Sequence, residues 1–139
     1  MADTLDDLKR NLQSLANSIS SKLNERQGYL DKADEIQKVY DRLARDKKTI
    51  KEYRNDIVYF YKESYNEFKG DNYKYTYKPS IQDLRDSYDD VISNIDINLD
   101  ALNNQILSYK NKASGCFGSL GYMQIAYNSV KTQIQNWTN

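Results

Sequence analysis

The residues able to do chemistry are few. The chain has no histidine and one cysteine, so the commonest general base and the commonest metal ligand are both missing. Cys116 alone cannot build a thiolate metal cluster, and no imidazole is present to activate it as a nucleophile. It reads as a small apolar residue. Neighbouring carboxylates occur at Asp6-Asp7 and Asp89-Asp90. Both pairs fall on helix faces expected to meet water, where a solvated carboxylate is the ordinary case and acid–base work the exception. The run Gly115-Cys116-Phe117-Gly118-Ser119-Leu120-Gly121 has the glycine density of a phosphate cradle. It lacks the Lys and Ser/Thr of one and follows no strand. The expectation is a protein with no catalytic residues, no cofactor, no metal and no enzymatic activity.

Tyrosine is the outlier, with 13 in 139 residues, and seven of these crowd between Tyr53 and Tyr77. Tyr mixed with Lys can stack the bases of a single strand, but a formal net charge of zero removes the broad attraction that nucleic acid binding needs. An aromatic cap over a turn, or a surface for a protein partner, fits better, because Tyr gives large contact area at low entropic cost. Tyr59, Phe60, Tyr61 and Tyr65 cannot all face one helical stripe. Tyr59, Tyr61 and Tyr65 are therefore candidate partner-binding residues.

Two stretches of apolar residues at helical steps position these side chains. The first runs through Leu5, Leu8, Leu12, Leu15, Ile19, Leu23, Leu30, Ile36, Tyr40, Leu43, Ile50, Tyr53, Ile57 and Phe60. The second runs through Ile81, Leu84, Tyr88, Val91, Ile92, Ile95, Leu99, Leu102, Ile106 and Tyr109. Steps of three and four are the helical period. Thr4 is placed to cap the first helix, with Asp6 and Asp7 favoured by the dipole in its first turn. The spacing predicts one helix over about 4–68, bent at most near Gly28. Residues 69–79 form a turn, in which Gly70-Asp71-Asn72 ends the helix and Pro79 keeps Lys78 extended. Ser80 caps a second helix running to about 112, with Asp83 completing an acidic capping box. Three glycines then predict a break over 113–119, and a third helix follows over 120–137. The fold class is all-α, a single domain built as an elongated antiparallel helical hairpin with a broken second arm. The last helix either continues that arm or folds back on it; matching the arm lengths favours the extended form.

Charge checks the register. Arg42, Arg45, Lys47, Lys48, Lys51 and Arg54 make a basic stretch in the first arm, and Asp83, Asp86, Asp89, Asp90, Asp96 and Asp100 an acidic one in the second. Folding about residue 74 sets 54 against 94 and 48 against 100, so the stretches partly overlap. They pair across the hairpin or are simply solvated faces. Gly28 would then lie opposite the glycine break. The N-terminus is acidic where a signal peptide needs a basic region, and no run approaches the ~18 apolar residues of a membrane span. No membrane insertion is expected. A cytoplasmic protein is, with export in folded form left open.

Phe68-Lys69-Gly70 between two amphipathic arms resembles the W-x-G turn of Esx-like small helical proteins of type VII secretion, with Phe in place of Trp. The length and the halfway position of the turn look more like the YwqH-like proteins associated with LXG toxins. The resemblance covers nearly the whole chain and assigns Phe68 and Gly70 to the turn. It implies a non-enzymatic targeting chaperone that binds the helical N-terminal LXG domain of a toxin, together with a second small helical protein in some assemblies. The chain would stay in the cytoplasm or leave with its partner through the type VII system. The Tyr-x-x-x-Asp/Glu export signal occurs only as Tyr59-Phe60-Tyr61-Lys62-Glu63, inside the first arm, so the signal is expected on the partner. Leu12, Leu15, Ile19 and Leu23 are candidate partner-facing positions near the open end. The competing expectation is a self-associating coiled-coil structural or scaffold protein, a homo-oligomer in isolation.

Overall fold

The computed structural model describes residues 4–67 and 78–138, with side chains for 4–60 and 78–137. They form two α-helices, α1 (Leu5–Glu67) and α2 (Lys78–Thr138), of 63 and 61 residues, with no strand among the described residues. The helices pair antiparallel, since residue 29 meets 109 while 54 meets 89. The result is a helical hairpin. Its contacts fall into two units, an open-end unit of 1–35 with 105–139 and a turn-end unit of 36–104. Phe68, Gly70 and the Tyr/Lys run of 73–77 lie outside the described residues.

Thr4 caps α1 as its sequence predicts. Its hydroxyl accepts the Asp7 N–H at 3.1 Å, and its own N–H donates to the Asp7 carboxylate at 3.2 Å. This is a capping box with Asp in the third position. At the other helix the expectation needs correcting. α2 already includes Lys78, so Pro79 and Ser80 sit in its first turn instead of before it. The first N–H groups of a helix have no internal acceptor, so a proline there loses nothing and its fixed φ suits the turn.

The second correction concerns the break. α2 runs through 113–119 without interruption, and no separate third helix exists. No described residue, glycine included, has positive φ. A Cβ on Gly115, Gly118 or Gly121 would have nothing within 4 Å. These glycines therefore lie on the outside of the helix, each costing about 1 kcal/mol relative to Ala. Ala113 and Cys116 in the same stretch are buried, and Leu120 and Met123 half-buried. Packing of these four outweighs the propensity penalty.

A seam of buried and half-buried residues in three-four alternation runs along both helices. On α2 the seam reads Ile81, Arg85, Tyr88, Ile92, Ile95, Leu99, Leu102, Ile106, Tyr109, Ala113, Cys116, Leu120, Met123, Tyr127, Val130 and Ile134. On α1 it reads Leu5, Leu8, Leu12, Leu15, Ile19, Lys22, Arg26, Tyr29, Ala33, Ile36, Tyr40, Leu43, Lys47, Ile50, Arg54 and Ile57. Both are the heptad spacing of a coiled-coil seam. No described large side chain is less than 2 % exposed, because two helices cover their seam from one direction only.

Bases occupy seam positions on α1, and two of them fix the pairing in the turn-end unit. Arg54 holds the Asp89 carboxylate through Nε at 2.6 Å and Nη2 at 3.5 Å, and Lys47 pairs with Asp96. The basic and acidic stretches thus meet as expected, but the register is about five residues tighter, with 54 against 89 instead of 94. Gly28 consequently does not face the glycines of α2. Its neighbour Tyr29 meets Tyr109, ring centroids 6.3 Å apart, with the Lys112 ammonium 5.9 and 5.1 Å from the two ring centres.

Candidate partner-docking site

The open-end unit carries an open groove of about 380 Å³ between α1 and α2, lined by Ile19, Leu23, Arg26, Phe117, Leu120, Gly121 and Gln124. The geometry follows from the heptad. Ile19, Arg26 and Leu120 are seam residues. Leu23, Phe117 and Gln124 each directly follow a seam residue (Lys22, Cys116 and Met123), which puts them on the same flank of an antiparallel pair. Gly121 follows Leu120 and has no side chain to fill the space, so Phe117 and Leu23 form the walls. Leu23 is 50 % exposed and Phe117 68 %. Burying such a side chain fully is worth ~1.5–3 kcal/mol, so two left open on one groove leave it unsatisfied. From Ala113 to Val130 α2 carries no charged residue.

Arg26 is the groove's only charged lining residue. Its Nε is shut off from solvent and has no hydrogen-bond partner, an arrangement that costs ~1–3 kcal/mol or more in the chain alone. The neighbouring base Lys22 is satisfied: its ammonium donates to Glu25 at 2.9 Å. That bond raises the Lys22 pKa and lowers the Glu25 pKa. The same Glu25 accepts the Tyr29 hydroxyl at 3.3 Å, and its negative charge pushes the Tyr29 pKa up. Glu25 is thus engaged on the other flank.

The turn-end unit divides its flanks the other way. The side bearing Asp89 and Asp96 is ionic. On the other flank Val39, Tyr53, Leu84 and Val91, each just before a seam residue, are apolar and 44–54 % exposed. Each unit therefore leaves large apolar side chains exposed beside its seam.

The residues singled out from sequence separate accordingly. Leu12, Leu15 and Ile19 lie in the seam and are half-buried against α2; only Leu23 among the four is exposed. Tyr59 is exposed at 66 %, while the side chains of Tyr61 and Tyr65 lie outside the described residues. Arg26, Phe117, Leu120, Gly121 and Gln124 escaped the sequence reading: Phe117 lay in a run taken as a break, a helix starting afresh at 120 carried no register against α1, and Arg26 sat beside an apolar line through Leu23 and Leu30. The available signal was the heptad count, which passes through the glycines without a skip. Among the described residues, no group of three or more His, Cys, Asp or Glu is placed to hold a metal ion, and no helix is long and apolar enough to cross a membrane. No protein-family model matches the chain, and neither a curated protein nor a solved structure matches it.

Proposed function

We propose that the chain is a non-enzymatic helical partner protein, a targeting chaperone for the helical N-terminal LXG domain of a type VII-secreted toxin. The observation that carries the partner role is a two-helix seam with uncovered apolar flanks, the groove at Leu23 and Phe117 above all. Added helices would bury these flanks and give a bundle that neither chain completes alone. The aromatic-Lys-Gly tripeptide halfway along the sequence supports the type VII and LXG assignment, as does the near-equal length of α1 and α2. Reading residues 59–63 as a Tyr-x-x-x-Glu inside the first arm, and not after the second, leaves the export signal to the partner.

Co-expression with the protein encoded beside this gene tests the role. The complex is expected to co-purify, and Leu23→Asp with Phe117→Asp to abolish it. Both positions lie outside the seam, so the variant retains its helical circular dichroism. Co-purification undiminished by the two aspartates would remove this groove from the interface. A second copy of the chain is the rival occupant of the same flanks. Light scattering separates the two, since a scaffold protein is a stable homo-oligomer whether or not its neighbour is present.

A further inference from the structure

Four bases lie in the α1 seam, and three have an acid: Lys22 has Glu25, Lys47 has Asp96 and Arg54 has Asp89. Arg26 is the exception among the described residues, and it is the one that lines the groove, with a desolvated and unpartnered Nε. We propose that the groove takes an amphipathic helix of the partner that brings a carboxylate to Arg26 and sets a large apolar side chain between Leu23 and Phe117. This rests on the partner role argued above and names the chemistry of its contact. The complementarity is of two kinds. Uncharged walls over 113–130 select an apolar face, and a planar guanidinium without an acid selects a carboxylate, which it binds through paired N–H groups. A buried Nε–H left without an acceptor is costly alone and becomes a specificity element once an acid arrives.

The same feature argues against a second copy as occupant. Groove-to-groove pairing is isologous and brings the patch onto itself, so each Arg26 would meet only the lining residues of the other copy's groove. None of the residues lining the groove is a carboxylate. A free inorganic anion would satisfy the charge but leave Leu23 and Phe117 exposed.

The test uses the full chain, with the helical N-terminal domain of the protein encoded beside it as probe. Arg26→Met removes the charge and keeps the stem. The variant alone is expected to melt at a higher temperature than the parent, because a buried N–H without an acceptor has gone, while its affinity for the probe falls by about tenfold or more. These opposite signs exclude a mere folding defect. In parallel, Arg26→Lys places an amine in the groove. Carbodiimide coupling of that complex should yield an interchain amide, and mass spectrometry should locate it on an Asp or Glu of the probe. Unchanged affinity in Arg26→Met, or an amide formed only within the chain, overturns the carboxylate contact and leaves the partner role standing. Failure of the parent chain to bind the probe removes both.

Discussion

Glu25 gathers the polar chemistry of the open-end unit. It accepts from Lys22 and Tyr29, and the Lys22 bond above all lowers its pKa. A carboxylate with a lowered folded pKa adds stability above its unfolded value of about 4.5, and that stability is lost as pH falls through the folded value. Lys22 and Tyr29 have raised pKa values, so their contributions are complete below about 10 and fade as pH rises further. With no histidine in the chain, little else titrates between. The melting temperature should therefore be nearly flat from about pH 5 to 9 and fall on either side. Glu25→Gln should make the acid limb shallower, as read by thermal melts across pH, and leave the share from Asp7, whose pKa its hydrogen bonds with Thr4 lower. At the helix start, Thr4→Ala removes the reciprocal bonds with Asp7 and should cost about 1 kcal/mol in urea unfolding. Such single-residue features were partly legible: Thr4, Asp6 and Asp7 declare a cap by type and spacing. Arg26 did not declare itself, because Leu23 and Leu30 continue an apolar line past it. Only the flanking seam residues, Leu15 and Ile19 before it and Tyr29 and Ala33 after it, decide that Lys22 and Arg26 turn inward, with long stems that can bury while their charges reach outward.

Among the elements, α1 was legible nearly to the residue and α2 was not. The reason is glycine. Gly115, Gly118 and Gly121 weaken a helix by propensity, and a local reading sees a break. The seam through Ala113, Cys116, Leu120 and Met123 is non-local, since it depends on α1 being there to pack against. Because a Cβ at Gly115 or Gly118 meets nothing within 4 Å, the double substitution to Ala should stabilise the chain by about 1–2 kcal/mol. Chemical unfolding followed at the helical ellipticity band checks this. A loss of stability would mean that the glycines serve the backbone of the isolated chain. Pro79 shows the same limit: taken as the residue before a helix, it sits inside the first turn, where its missing N–H is harmless. The ionic register was half legible. Charge blocks showed which stretches meet, but only the Arg54–Asp89 and Lys47–Asp96 pairs fix the offset.

At the scale of the molecule, the hairpin is an unfinished core. Its buried apolar residues are Leu and Ile together with the smaller Ala33, Ala113, Cys116 and Val130, while Phe117, Tyr122, Ile125 and Trp137 are more than half exposed. Third and fourth helices are the ordinary means of covering such flanks. The most direct test of that claim is hydroxyl-radical footprinting of Leu23 and Phe117 in the chain alone and in complex with the helical N-terminal domain of the neighbouring gene product. Both residues should be readily oxidised in the free chain and strongly protected in the complex. Protection already complete in the free chain, or oxidation unchanged in a complex that does form, would contradict a groove kept open for a foreign helix.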